Sequence, residues 1–158
     1  IRQGDLIQVE GVQGYVRALN IRYTLVETFN GQEVSIPNET LTSKNIINWT
    51  MSNARARIEI PVGIAYGSDY KKVQQLLLQA ATEHKRTMKD PAPICVMLEF
   101  GASSVQFSLQ YWVDNVTDGL QTPKSEVMFR IAELFAEHQI SIPFPQQEVR
   151  IVSMPESR

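Results

Sequence analysis

The stretch Ser35-Ile36-Pro37-Asn38-Glu39-Thr40-Leu41-Thr42-Ser43-Lys44-Asn45-Ile46-Ile47-Asn48-Trp49-Thr50 decides the reading of the chain. Val34 to Ile36 reads as a strand that stops at Pro37, because proline has no N–H to give to a ladder. A polar connection follows, and Asn45 to Trp49 returns as a second short strand. Ile46 and Ile47 then face opposite sides of that strand.

Working outward, the first third of the chain reads as all-β. Leu6 to Glu10 is a strand, with Gly11 and Gly14 punctuating the turn after it. Tyr15 to Phe29 is rich in β-branched and aromatic residues and long enough to break into two strands. Asn30-Gly31 predicts a tight hairpin with positive φ at both positions. Glu33 to Ile36 completes the return. Five short strands in so few residues point to a small barrel over residues 1–53.

From residue 54 to 158 the rhythm changes. Ile58, Ile60, Val62, Ile64 and Tyr66 alternate along one strand. Ser68-Asp69 opens a helix with Val73, Leu76, Leu77, Ala80, Ala81 and His84 on one stripe, limited by Asp90-Pro91. Ile94 to Phe100 and Val105 to Val113 are strands joined by the turn Gly101-Ala102-Ser103-Ser104. Thr122-Pro123 reads as the cap and first position of a last helix. Its expected stripe is Met128, Ile131, Leu134, Phe135 and His138. Ile142-Pro143-Phe144-Pro145 then leads to a closing strand, Val149 to Val152. The order β-α-β-β-α-β is that of a ferredoxin-like α+β sandwich.

Composition narrows the function. Of 158 residues, 43% are hydrophobic and 20% charged, an ordinary globular balance. Residues 1–53 carry four basic and five acidic side chains, and residues 54–158 carry eleven and twelve. Neither half has the basic footprint of a nucleic-acid binder. No stretch reaches the roughly 18 consecutive apolar residues of a membrane helix. The start, Ile1-Arg2-Gln3-Gly4, is expected to be an internal point of a longer protein.

Chemistry is sparse. His84 and His138 sit late in helices, where a histidine complements the helix dipole. They lack metal-ligand spacing. Cys95, the single cysteine, lies in an apolar strand and reads as an inert thiol. Gly101-Ala102-Ser103-Ser104 lacks the frame of a nucleophile turn. No catalytic residue, metal or cofactor is expected, and the protein is read as a non-enzyme.

A resemblance adds what periodicity does not. Ile36-Pro37-Asn38, Asn45-Ile46-Ile47-Asn48-Trp49, Gly63-Ile64-Ala65-Tyr66-Gly67-Ser68-Asp69, Phe100-Gly101-Ala102-Ser103-Ser104 and Ile142-Pro143-Phe144-Pro145-Gln146 occur in order. The set resembles the cytoplasmic region of the bacterial small-conductance mechanosensitive channel family. Ala80-Ala81-Thr82-Glu83-His84 is similar to the large potassium-dependent branch. Glu39 departs from the pattern, where many members carry glycine.

The resemblance implies a Sm-like barrel plus an α/β domain, with seven copies forming a vestibule with side portals beneath a pore. It implies a homo-heptamer, no nucleic-acid partner, and contact with the inner membrane only through segments outside this chain, on the cytoplasmic side. It makes Pro37, Asn38 and Glu39 a loop coupling to the pore helix. It makes Ile46, Ile47, Trp49, Val149 and Ile151 subunit contacts, and Arg55 and Arg57 portal residues. The competing reading is a free-standing Sm-like and ferredoxin-like module for a ligand or RNA.

Overall fold

The computed structural model describes residues 1–153, 155 and 156. Eight strands and three helices follow in the order β1 (Leu6–Val9), β2 (Val12–Leu19), β3 (Tyr23–Thr28), β4 (Glu33–Pro37), α1 (Asn38–Ser43), β5 (Ile47–Asn48), β6 (Ala56–Ile64), α2 (Tyr70–Glu83), β7 (Ile94–Phe100), β8 (Val105–Val113) and α3 (Gln121–Glu137). The expected pairing of an all-β unit with an α+β unit is what forms.

The first sheet has the antiparallel order β4-β3-β2-β1-β5. Its core is Ile7, Val9, Val16, Val26 and Ile36, with Val12, Val34, Leu41 and Ile46 packed around it. Among the described residues β4 and β5 do not pair, so the expected barrel is not closed. The reason is local. The presumed polar loop after Pro37 is the helix α1, and β5 has only two residues. Leu41 of α1 covers the gap from one side.

Two glycine readings change. Gly14 lies inside β2 opposite Thr28 instead of in a turn. A Cβ there would sit 2.2 Å from the Glu27 carbonyl oxygen, so the strands meet at this point only because the side chain is missing. In the β3–β4 hairpin only Gly31 has positive φ, at 77°. The Thr28 amide donates to the Gln32 carbonyl across Phe29-Asn30-Gly31, a three-residue loop ending in a left-handed glycine.

The second sheet has the order β6-β8-β7. Alternate residues of β6 and β8, such as Ile60 and Leu109, point at α2 and α3 and build a separate, larger core. Asp69 caps α2 by accepting from the Lys72 amide at 3.1 Å. The start of α3 differs from expectation: Leu120 is its N-cap, without a side-chain bond, and Pro123 lies inside the first turn. Val127, not Met128, joins the buried stripe with Ile131, Leu134 and Phe135.

The sheet is therefore a ferredoxin-like sandwich without its last strand. Residues 141–152 form no strand, although the Ala65 amide just past β6 donates to the Ser141 carbonyl at 3.0 Å, and Val149 and Ile151 are exposed. Pro143 and Pro145 give this segment no amide at two positions. One chain also leaves it nothing to pair with.

Candidate functional site

The loop Pro37-Asn38-Glu39 stands beside the β2–β3 turn, and Asn38 ties the two together. Its backbone amide donates to the Arg22 carbonyl at 2.9 Å. Its side-chain amide donates to the carbonyls of Asn20 at 2.9 Å and Ile21 at 3.1 Å. Its Oδ1 accepts from the Thr24 hydroxyl at 2.9 Å, and Thr24 is fully buried. The polar reach of Asn38 is thus spent within the loop. The result is a turn held from below with Ile21 displayed at its tip, 98% exposed. Pro37 and Glu39 are exposed alongside it. The Glu39 carbonyl accepts from Thr42 and Ser43, which fixes α1.

A second network fastens the other end of the first sheet. Asp5 accepts from Asn48 Nδ2 at 2.8 Å and the Thr50 hydroxyl at 3.2 Å, and the Arg2 amide donates to it at 2.9 Å. Burial resists ionisation of Asp5, but the bonds from Asn48, Arg2 and Thr50 together outweigh it and hold its pKa below the ordinary value. Asn48 is thereby a strand-end fastener. Ile46 turns to the core, whereas Ile47 is 51% exposed on the outside. Trp49 is half-buried and does not join the first core. It lines a cleft of about 590 Å3 between the two sheets' units, with Phe29, Val116 and Leu120. Its indole N–H is buried without a partner.

Arg55 and Arg57 lie at the start of the second unit, both exposed. The Arg55 guanidinium stacks 5.4 Å from the Trp112 ring centre, and Arg57 donates to Gln110 at 3.2 Å. They share one face of the sheet's upper end. Val149 and Ile151 are far along the chain, on the unpaired tail.

The remaining titratable groups are structural. His84 ends α2 and bonds Glu126 of α3 through Nε2 while its Nδ1 accepts from the Arg86 amide. That bond lowers the Glu126 pKa. His138 ends α3 against the Leu134 carbonyl. Burial raises the Cys95 thiol to about 11, so the thiolate is scarce. Among the described residues no group of three His, Cys, Asp or Glu side chains is arranged to hold a metal. Among the described residues no helix is long and apolar enough to cross a membrane.

An open first sheet, a three-stranded second sheet and a loop displaying Ile21 form a combination that the comparisons place. Residues 1–51 match the family model described as the mechanosensitive ion channel beta-domain, and residues 58–142 match that described as mechanosensitive ion channel MscS, C-terminal. The chain belongs to the MscS family of mechanosensitive ion channels. It is 42% identical over 151 residues to an uncharacterised MscS family protein of Haemophilus influenzae, covering 96% of this chain and 14% of that one. It is 37% identical over 151 residues to the mechanosensitive channel MscK of Escherichia coli, covering 96% of this chain and 13% of MscK. The chain thus spans about one seventh of these relatives. The crystal structure of Helicobacter pylori MscS in its closed state superposes with a TM-score of 0.88 at 28% identity, over 98% of this chain and 60% of that one.

Sequence reasoning missed Ile21, Met128, Phe129, Leu98 and Phe100, all apolar and open to solvent. Only exposure marks them. As types they read as core residues, and the sequence holds no signal that turns them outward.

Proposed function

We propose that this chain is the cytoplasmic vestibule region of a tension-gated channel of the inner membrane, assembling as a homo-heptamer below the pore and releasing ions and small solutes on osmotic downshock. The observation that carries the reading is the match of both family models, in order, along one chain whose fold superposes on MscS. Its near-neutral charge in both halves fits a ring builder and not a nucleic-acid clamp.

In this reading Pro37, Asn38 and Glu39 form a coupling loop, with Ile21 as its contact tip. Asn38 acts by holding that tip and not by reaching upward itself. Ile47 is a subunit contact of the first sheet, and Ile46 supports it from the core. Trp49 stiffens the junction, where Arg55 and Arg57 flank side portals. Val149 and Ile151 pair with their copies around the ring axis, which supplies the partner that a single chain lacks.

The test is expression of the whole protein containing this region in bacteria stripped of their own mechanosensitive channels. Tension-activated currents in patches and survival of downshock are expected. A protein that reaches the membrane yet gives no tension-activated current overturns the proposal.

A further inference from the structure

The cleft between the two units has the makings of a binding site. It holds about 590 Å3, the size of a small-molecule pocket, and such pockets favour the meeting of two units. Half of its lining residues are apolar, and Phe29 and Trp49 bring two aromatic rings into it. Trp49 is half-buried and the Phe29 ring is 57% exposed, so aromatic surface stays open to an occupant. Among the described residues Asp118 is the one charged side chain that lines the cleft, and no lysine, arginine or histidine lines it to offset that carboxylate.

The chain leaves these groups unspent. Its own guanidinium groups stack elsewhere: Arg17 lies 5.8 Å from the Tyr15 ring centre and Arg55 5.4 Å from that of Trp112. Among the described residues Asp118 takes part in no ion pair. Its Oδ2 accepts from Asn115 Nδ2 at 2.7 Å, which orients the carboxylate. Tyr15 locks the parts together. Its ring meets Phe29 edge-on, with centres 5.6 Å apart at 85°, and its hydroxyl donates to the Thr117 carbonyl, one residue before Asp118. The aromatic wall of the first unit and the carboxylate of the second are therefore held in place across the cleft before anything binds.

We propose that this cleft binds a small methylated ammonium cation, with its methyl groups against Phe29 and Trp49 and with Asp118 as its counter-ion. The face of an aromatic ring attracts a cation, and more strongly where water is excluded. A primary ammonium carries three donors that all need acceptors, which a half-apolar wall does not supply. A quaternary ammonium carries none and presents methyl groups to that wall. An anion would meet Asp118 with no basic side chain lining the cleft to offset the repulsion. The site stands apart from the channel reading, since a single chain contains all of it.

Choline tests it against the neutral alcohol of the same shape, in which a quaternary carbon replaces the charged nitrogen. The readout is the Trp49 indole N–H resonance in heteronuclear NMR spectra of the whole chain. Trp112, the other tryptophan, does not line the cleft and serves as the internal reference. Choline is expected to shift the Trp49 resonance to saturation and leave Trp112 in place, while the neutral alcohol binds several-fold more weakly and potassium chloride has no effect. Asp118→Asn and Phe29→Leu, both at exposed positions and checked for native far-UV circular dichroism, are each expected to weaken choline binding several-fold. A neutral alcohol that binds as tightly as choline reveals an apolar cleft and overturns cation recognition. So does a Trp49 shift that never saturates or that potassium chloride reproduces. Weakening by only one of the two substitutions, or by neither, overturns the paired site of ring and carboxylate. Each of these failures leaves the channel reading standing, because no membrane or assembly enters the measurement.

Discussion

Asn38→Ala is the sharpest perturbation of the loop that displays Ile21. The substitution removes three side-chain bonds, but they are unequal. The carbonyls of Asn20 and Ile21 lie in an exposed turn and regain water, so their loss costs little. The Thr24 hydroxyl is fully buried and loses the acceptor 2.9 Å away. An unsatisfied buried hydroxyl costs about 1–3 kcal/mol, so a loss of about 2 kcal/mol is expected. For a chain of this size that is a fall in Tm of roughly 4–8 °C. Urea unfolding followed by circular dichroism measures it, and a double-mutant cycle with Thr24→Val assigns it. Removing both partners leaves no orphan, so the double variant is expected to be more stable than the sum of the two single losses. Strict additivity, or a loss from Asn38→Ala below about 0.5 kcal/mol, would refute the claim that Thr24 and Asn38 act as a unit. If the proposed function holds, the same variant in the full-length protein is expected to alter closing or recovery under sustained tension, because the Ile21 tip is no longer held.

Other outcomes follow from the same geometry. Gly14→Ala is expected to destabilise by about 3 kcal/mol or more, seen as an early thermal transition, because its methyl overlaps the Glu27 carbonyl. Asp5 has a lowered folded pKa, so its stabilising effect is present above the unfolded value of about 3.9 and is lost as pH falls through the folded one. Asp5→Asn is therefore expected to flatten the acid limb of a pH–stability curve below about pH 4 and leave its slope near pH 7 unchanged. Cys95 is expected to react with a thiol reagent at pH 8 at least about a hundredfold more slowly than a free cysteine until denaturant is added, since both burial and a pKa of about 11 suppress the thiolate.

Some of this architecture was legible because single residues dictate it. Pro37 cannot continue a ladder, and β4 stops there. The alternation at Ile46-Ile47 gives one core-facing and one open side chain, as strand geometry requires. Asp69 caps α2 with its own carboxylate. The misses share a different cause. Helix α1 has one apolar residue, Leu41, and is held by hydroxyl bonds from Thr42 and Ser43 to Glu39, which leave no periodic trace. α3 begins after a leucine N-cap without a capping bond, so the Thr122-Pro123 signal pointed two residues too far along the chain. Met128 fits the core stripe by spacing, yet Val127 takes the inward position, since spacing alone does not fix the phase of a helix. For the candidate site, sequence named Asn38 but not its partners, because residues 20–24 come to it only through the β2–β3–β4 register.

The loop of the first unit can act on the second unit only if the two transmit displacement. The junction is built for that. The turn at Val116–Asp118 belongs to the second unit, yet the Tyr15 hydroxyl of β2 donates to the Thr117 carbonyl. The Val116 amide bonds the Ala54 carbonyl at 2.8 Å, which clamps the connecting segment itself. Val116 is fully buried, and Trp49 and Leu120 line the adjoining cleft. A hinge here would have to break these bonds and wet Val116 before the units could swing apart. Tyr15→Phe removes one of them without altering ring packing. It is expected to leave the core of each unit intact while raising amide hydrogen exchange at Ala56 and Val116. Exchange at those two amides that is unchanged by the substitution would mean that the Tyr15 bond does not hold the units together, and that the cleft packing around Trp49 does.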